Sequence, residues 1–298
     1  MMKNICKIAS VSLLLLLASC IKSDYDTENC PGLYTITPIV PVELQQKKNE
    51  FLPNTNTSVM YPGGEWRKTE VGPDNILELT KGQYRSFSLK GENEQVGLHF
   101  GTVVSVSSTD GAAGDPGDFV GGYIDFNVDG GLEDWGIINY DVPTYIQTRI
   151  LTLKVKIEGQ NADLVESVTA TVDGITLSRE LLNAFTEGGE KDRYPALTTG
   201  YMSYDLAEKD ADGYYTDSHR LLGLDGNADQ NLVLTIHYKD GFTRNFNYEI
   251  TSDLDGFLTE AVTAPWIIRI VLRAGADFTA DIEDWQAGPE EWIDVKPV

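Results

Sequence analysis

Two acidic segments carry the residue types that glycosidases use as general acid and base. Glu133–Trp135 and Glu283–Trp285 each place two carboxylates directly before a tryptophan. Glycoside hydrolysis needs two carboxyl groups about 5–5.5 Å or about 6.5–9.5 Å apart across a cleft. Spacing along the chain does not bring such groups face to face, and 46 acidic residues make chance matches common. A carboxylate-based surface hydrolase is therefore the weakest of the functions considered.

A third acidic segment has the spacing of a calcium-binding loop. Glu208, Asp210 and Asp212 place oxygen ligands two residues apart, and Gly213 supplies a turn glycine. The twelfth position of such a loop carries a bidentate glutamate, whereas here it is His219. A solvated turn is therefore favoured over a calcium site, and we expect no metal or other cofactor.

The histidines and the known catalytic motifs add no further chemistry. His99 and His237 lie in strand-like segments, and His219 is expected in a polar loop. None has a partner at the spacing of a ligand pair or an orienting carboxylate. The motifs Gly-x-Ser-x-Gly, His-Glu-x-x-His and Gly-x-x-x-x-Gly-Lys are missing from the sequence. The sequence thus predicts no catalytic residue and a protein that is not an enzyme.

Tryptophan residues indicate a second candidate function, a surface glycan- or adhesin-type binding module. Trp66 ends a turn-like Pro-Gly-Gly-Glu segment, where an exposed ring could stack on a sugar. Trp266 lies on the apolar face of an alternating segment and is expected in the core. Trp285 and Trp292 flank a Gly-Pro pair and are expected to pack the C-terminal segment onto the fold.

Residues 1–19 have the organisation of an export signal. Two lysines precede Ile8–Ala18, which contains five consecutive leucines. This run is shorter than the about 20 residues of a bilayer-spanning helix, so it predicts a cleaved signal peptide. Leu17–Cys20, which reads Leu-Ala-Ser-Cys, resembles a bacterial lipobox. The Cys20 thiol is the expected lipidation site, and each buried CH₂ of its acyl chains contributes about 0.8 kcal/mol to anchoring.

Residues 20–30 are expected to form an acidic tether behind the lipid. Ile21–Glu28 resembles the surface-export signal of Bacteroidota lipoproteins, and the alternative is a solvated charge run. We therefore expect a protein at the outer membrane, facing the cell exterior. Cys30 is the one thiol left after processing, so no internal disulfide is expected. The formal charge of -23 argues against nucleic acid as a partner.

Apolar residues alternate at period 2 in several segments, which predicts an all-β protein. The clearest case is Leu151–Ile157, and Leu232–Tyr238 is followed by an Asp-Gly turn and Phe242–Ile250. Ser167–Leu177 contains a second Asp-Gly pair and is likewise expected to form a hairpin. Only Ser178–Phe185 is expected to form a short helix, capped by Ser178.

The mature chain is long enough for about two domains of roughly 100–200 residues each. Gly111–Gly122 is rich in Gly, Asp and Pro, and Pro143 precedes the strongest strand pattern. We expect an N-terminal β-sandwich over residues 31–143 and a C-terminal β-sandwich over residues 144–298.

Several segments in this order resemble one known family. They are the lipobox and acidic tether, Cys30-Pro31, Leu77–Tyr84, Arg149–Glu158, Leu164–Leu177 and Ala280–Trp285. The layout resembles the FimB-type anchor and accessory subunits of Bacteroidales fimbriae, which are fimbrillin-like lipoproteins. The second half of the chain carries most of this resemblance.

The resemblance implies two transthyretin-like, Greek-key β-sandwich domains in tandem and a role in fimbria anchoring, assembly or adhesion. Subunits of this kind associate by strand addition, in which an extended segment completes a sheet edge through main-chain hydrogen bonds. The leading expectation is a non-enzymatic outer-membrane lipoprotein. Its implied partners are other fimbrillin-like subunits and, through acylated Cys20, the lipid bilayer.

Overall fold

The computed structural model describes ten segments of the chain. These are residues 31–41, 56–69, 75–91, 95–99, 103–129, 136–159, 162–181, 196–257, 264–274 and 279–287. They contain twenty β-strands and two short 3₁₀ helices, Ala162–Leu164 and Ser252–Leu254. Within these segments no helix is long and apolar enough to cross a membrane. The expected all-β fold is confirmed.

The strands of the first half are short, apart from two of ten residues each. They are β1 (Gly32–Ile39), β2 (Asn56–Met60), β3 (Trp66–Thr69), β4 (Leu77–Leu79), β5 (Gly82–Gly91), β6 (Val96–His99), β7 (Val103–Val106), β8 (Ser108–Thr109), β9 (Ala112–Ala113), β10 (Phe119–Val128) and β11 (Ile137–Pro143).

The strands of the second half are longer on the whole. They are β12 (Tyr145–Ile146), β13 (Arg149–Gly159), β14 (Val165–Glu180), β15 (Thr198–Leu206), β16 (Tyr215–Leu221), β17 (Asn231–Tyr238), β18 (Thr243–Glu249), β19 (Trp266–Ala274) and β20 (Thr279–Ala287). The expected hairpin of β17 and β18 is present, with Gly241 at a φ of 84° in its turn.

Contacts divide the described residues into two units. The first takes those up to Leu89 together with Gly122–Thr144, and the second takes Lys90–Gly121 and those from Tyr145 onwards. The sequence places one boundary between residues 143 and 144, whereas the structure also assigns residues 90–121 to the second unit. The reason is strand pairing, because β7 pairs with β14 and β9 pairs with β15.

The first unit packs two sheets around one apolar core. One sheet has the order β11-β1-β4, with β1 and β11 parallel, and the other contains β10-β5-β2-β3. The core takes side chains from both sheets. Its buried members are Tyr34, Ile36, Val59, Leu79, Tyr84, Phe126, Val128 and Val142.

The second unit packs a sheet of order β16-β13-β19-β20 and a sheet of order β18-β17-β14-β15-β9-β8 around a larger core. Strands β13 and β19 are parallel, so Leu151 lies beside Trp266. The inward alternation expected from the sequence is confirmed in β13, β17 and β19. The fully buried side chains of these three strands are Leu151, Leu153, Val155, Leu232, Leu234, Ile236, Trp266, Ile268 and Ile270.

The hairpin expected at Ser167–Leu177 is wrong, because β14 runs unbroken through this segment. Gly174 has a φ of 67°, and the register with β15 shifts between Asp173 and Ile175. The Asp-Gly pair therefore forms a β-bulge, which uses the same left-handed glycine as a tight turn but keeps the chain direction.

The helix expected from Ser178 is also wrong in its described part. Ser178, Arg179 and Glu180 continue β14 and pair with β7. The hydroxyl of Ser178, expected to cap a helix, instead lies 2.5 Å from that of Thr198 in the neighbouring strand β15. Tertiary pairing outweighs the local helix preference of this segment. Leu181 is buried and belongs to no helix, and residues 182–185 of the expected helix lie outside the described residues.

Candidate functional site

One side of the larger sheet in the first unit carries aromatic and charged side chains, and we call it the aromatic face. Its members are Met60, Trp66, Arg85, Phe87, Tyr123 and Asp125. Met60 is the direct strand partner of both Trp66 and Arg85, so these three side chains lie on the same side. Val59 and Tyr84, which alternate with them, belong to the core.

Three rings form a continuous row on the aromatic face. The ring centroids of Trp66 and Phe87 are 4.7 Å apart, and those of Phe87 and Tyr123 are 5.5 Å apart. Ser58 is the strand partner of Phe87, and its small side chain leaves room for the indole to cross β2. Phe87 is fully buried, whereas Trp66 is 37% exposed. The row therefore presents the Trp66 ring to solvent and supports it from behind with the Phe87 ring.

An ion pair borders the ring row. Arg85 contacts both carboxylate oxygens of Asp125, with an Nη2–Oδ2 distance of 2.7 Å. The Arg85 guanidinium also lies 4.7 Å from the centroid of the Tyr123 ring. The hydrogen bond from Arg85 holds the pKa of Asp125 below its usual value, against the opposing effect of burial. A cavity of about 420 Å³ opens here, lined by Met60, Gln83, Tyr84, Arg85, Asp125, Phe126 and Asn127.

A second polar cluster surrounds His219 in the second unit. His219 lies in β16 and not in the polar loop that the sequence suggested, because the segment pairs with β13. Its Nδ1 lies 3.6 Å from Asp115 Oδ2, and its Nε2 lies 3.1 Å from Asp217 Oδ2. Asp115 also accepts a hydrogen bond from the backbone N–H of Arg220. The cluster joins the segment before β10 to the edge of β16.

Protonation of His219 is expected to stabilise the fold. The nearby carboxylates of Asp115 and Asp217 raise the pKa of His219 above its usual value despite burial. A raised native pKa gives stability that is present below the unfolded pKa and is lost as pH rises through the native pKa. We expect urea titrations to show a free energy of unfolding that falls as pH rises from about 6.5, the usual histidine pKa, through the raised native pKa. His219→Gln should flatten that fall, and an unchanged slope would contradict the assignment.

The acidic segment Glu208–Gly213 forms a tight turn organised by Asp210. The Oδ1 atom of Asp210 accepts hydrogen bonds from the backbone N–H groups of Asp212 at 3.0 Å and Tyr214 at 2.9 Å. Its Oδ2 atom lies 3.0 Å from Lys154 Nζ. Burial raises the pKa of Asp210, but the bonds from Tyr214 and Lys154 outweigh it and hold the pKa low. Protein donors thus bind both oxygens, and no cluster fit for a metal occurs among the described residues.

A buried polar cluster that was not predicted from the sequence surrounds Arg179, which is 1% exposed. Its Nη1 donates to Gln147 Oε1 at 3.1 Å, and its Nη2 donates to Gln147 O at 2.8 Å. Its Nε donates to Leu222 O at 3.2 Å. Gln147 in turn donates from Nε2 to Gly121 O at 2.9 Å. The sequence does contain one indication of this burial. Arg179 is the next alternate residue of β14 after the apolar Ile175 and Leu177, so it lies on the same side of the strand.

A second arginine, Arg149, is fully buried at the start of β13. Its guanidinium donates to the carbonyls of Phe257 at 2.8 Å and Ala264 at 2.9 Å. It also lies 4.7 Å from the centroid of the Trp266 ring. Trp266 is fully buried, as the sequence predicted. Both buried arginines therefore fix loop carbonyls to the core strands.

Several sequence predictions lie outside the described residues. These are the signal peptide, Cys20, the tether, Cys30, Glu133–Trp135 and Trp292. Glu283–Trp285 is part of β20, whose backbone alone is described. His237 lies in β17, where its Nε2 is 3.2 Å from Thr169 Oγ1, and His99 ends β6.

Solved structures of several Bacteroidales proteins have a fold similar to that of this chain. Two are Bacteroides ovatus proteins described as candidate adhesins. The first has a TM-score of 0.55 and 11% identity over 85% of this chain and 91% of its own. The second has a TM-score of 0.55 and 12% identity over 88% of this chain and 96% of its own.

A third similar structure is the fimbrial anchor protein Mfa2 from Porphyromonas gingivalis. It has a TM-score of 0.52 and 11% identity over 84% of this chain and 95% of its own. At such identities the likeness establishes a common fold. No family model and no curated protein matches the sequence.

Proposed function

We propose that this chain is a non-enzymatic surface lipoprotein that acts as an anchor or accessory subunit of a fimbria. The observation that carries the proposal is the fold shared with Mfa2, which extends over 84% of this chain and 95% of that protein. The lipobox-like Leu17–Cys20 supports it, since a fimbrial base needs attachment to a membrane. The FimB-type resemblance of the sequence favours the same role.

The proposal includes two transthyretin-like domains in tandem and assembly by strand addition. Each unit pairs short strands into sheets whose outermost strands carry main-chain hydrogen-bonding groups. A fimbrillin-like subunit can extend such a sheet through backbone bonds, with its alternate side chains meeting the core. The chain would then face the cell exterior from the outer membrane, with acylated Cys20 in the lipid.

Affinity recovery of the full chain from cross-linked, fimbriated cells tests this proposal. We expect the wild-type protein to incorporate labelled palmitate, to sediment with membranes and to recover fimbrillin-like subunits. Cys20→Ser should lose the label and leave the membrane fraction, because it lacks the thiol that is acylated. Cys30→Ser is the matched control and should behave as wild type.

Two results would contradict the proposal in different ways. Label retained by Cys20→Ser would place the lipid elsewhere and remove the anchoring part. Recovery of a correctly acylated protein without any fimbrillin-like subunit would remove the fimbrial part.

A further inference from the structure

We propose that the aromatic face of the first unit binds a neutral oligosaccharide. The apolar side of a sugar ring packs on Trp66, and its hydroxyl groups hydrogen bond to Arg85 and Asp125. The proposal uses only residues of the first unit. It does not rest on the fimbrial role, because an accessory subunit can lack a glycan site and a glycan-binding protein can lack fimbrial partners.

Trp66 has the exposure and the support that a stacking platform needs. Its side chain is 37% exposed, whereas the core Trp266 is fully buried. The Phe87 ring, 4.7 Å away, holds the indole at a tilt of 54°. A ring already fixed by packing loses little rotamer freedom when a ligand covers it, so more of the contact energy appears as affinity.

The polar groups beside the rings have the geometry to bind a pair of adjacent hydroxyls. Arg85 and Asp125 hold each other through two contacts, and their side chains remain 29% and 56% exposed. A carboxylate has about four acceptor positions, so Asp125 can accept hydroxyl protons while Arg85 still bridges it. Stacking on Tyr123 fixes the guanidinium plane as well. These polar groups are therefore organised before any ligand arrives.

Two amides extend the polar row. Gln83 and Asn127 lie two residues from Arg85 and Asp125 on the same strands, so they share the side of the aromatic face. Both line the same cavity as the ion pair. An amide offers donors and an acceptor together, as a hydroxyl does. An alternation of aromatic surface with mixed donors and acceptors suits a sugar, which is apolar on its ring faces and polar at its rim.

Size and charge restrict the class of sugar. The cavity of about 420 Å³ lies in the range of about 300–1,000 Å³ usual for small-ligand sites, and the Arg85–Asp125 ion pair lines it. Asp125 neutralises Arg85, so no net positive charge remains to attract an acidic glycan. The formal charge of -23 over the chain opposes one further. A neutral oligosaccharide is therefore favoured over sialylated or sulfated ones.

Binding of the full mature chain to an array of neutral, sialylated and sulfated oligosaccharides tests the proposal. We expect signals on neutral members, with affinity then measured by calorimetry on the strongest of them. Trp66→Ala should weaken this binding at least tenfold, and Trp66→Phe should retain most of it because a ring remains. Asp125→Asn should also weaken it severalfold, because the carboxylate loses acceptor capacity and its hold on Arg85.

Phe242→Ala supplies the matched control, since Phe242 is 61% exposed but lies at the β17–β18 turn of the second unit. This variant should bind as wild type, and all variants should remain folded at the temperature of the binding measurement. An array without neutral signals would overturn the proposal. So would a preference for acidic glycans, binding only to a protein or peptide ligand, or equal affinity in Trp66→Ala and wild type. Recovery of fimbrial subunits is measured separately, so either proposal can fail alone.

Discussion

Arg179→Ala is expected to lower the free energy of unfolding by about 3 kcal/mol. Arg179 is 1% exposed, and its guanidinium donates to carbonyl oxygens of Gln147, Glu180 and Leu222. Hydrogen bonds to a charged group contribute about 1.5–3 kcal/mol each, and truncation leaves buried acceptors without a donor. Relief of the buried charge offsets part of this loss, so the bonds do not add in full.

Urea unfolding of the non-acylated mature chain, followed by tryptophan fluorescence, measures this effect. Arg179→Lys should be nearly as destabilising, because one ammonium cannot reach the carbonyls that a guanidinium fork spans. Arg67→Ala is the control, since Arg67 is exposed and contacts exposed Glu65 and the partly exposed Tyr61 ring, and its midpoint should lie close to that of wild type. An Arg179→Ala midpoint equal to wild type would show that the buried cluster contributes nothing net.

Gly122→Ala is expected to destabilise the first unit by about 3 kcal/mol. A Cβ atom at this position would lie 2.0 Å from Pro143 O and 3.1 Å from the Thr144 Cα. Both obstacles are backbone atoms, which cannot move away as a flexible side chain can. Overpacking of a well-packed site costs about 1–3 kcal/mol, and this overlap is at the severe end. The change should appear as a lower thermal midpoint by calorimetry.

Gly63→Ala separates the overlap from ordinary glycine effects. Gly63 has a φ of 94° and no heavy atom within 4 Å of an added Cβ, so its replacement incurs only left-handed strain of about 1–2 kcal/mol. Gly122 does not have a positive φ, so its cost comes from contact alone. If Gly122→Ala is no more destabilising than Gly63→Ala, the close approach to Pro143 is not a constraint on the fold.

Strand alternation was the part of this fold that the sequence predicted best. Leu151–Ile157 and Leu232–Tyr238 each have one buried side, and a period of two marks such strands wherever the opposite side is polar. The β17–β18 turn was predictable for the same reason, since Gly241 lies between two alternating segments. Burial of Trp266 follows from its phase within β19.

The hairpin and the loop that were wrongly predicted lie where the same local sequence is compatible with two backbone structures. Asp173-Gly174 has the residues of a tight turn, yet the pairing of β14 with both β15 and β17 keeps the strand straight. The polar segment around His219 lacks apolar alternation, and only its pairing with β13 makes it a strand. Long-range pairing decides both cases, and no short window of sequence contains it.

Of the residues on the aromatic face, only Trp66 was predicted from the sequence as a candidate for sugar binding. Trp66 stood out because a tryptophan beside a glycine turn has little local packing. The partners Arg85 and Asp125 belong to different strands, and each is an ordinary charged residue within its own segment. Their 2.7 Å contact depends on the register of the sheet. The sequence therefore indicated the ring but could not supply the polar row beside it.

Parallel pairing also sets the order in which each unit can fold. Leu33 in β1 lies beside Ile137 in β11, and Leu151 in β13 lies beside Trp266 in β19. Each unit thus joins a strand from its start to one from near its end, and such distant closures make folding slow. For a chain with the expected export signal, this connectivity delays folding until the C-terminal strands of each unit are available. The early strands cannot complete a core until the late ones arrive, which favours folding after passage across the membrane.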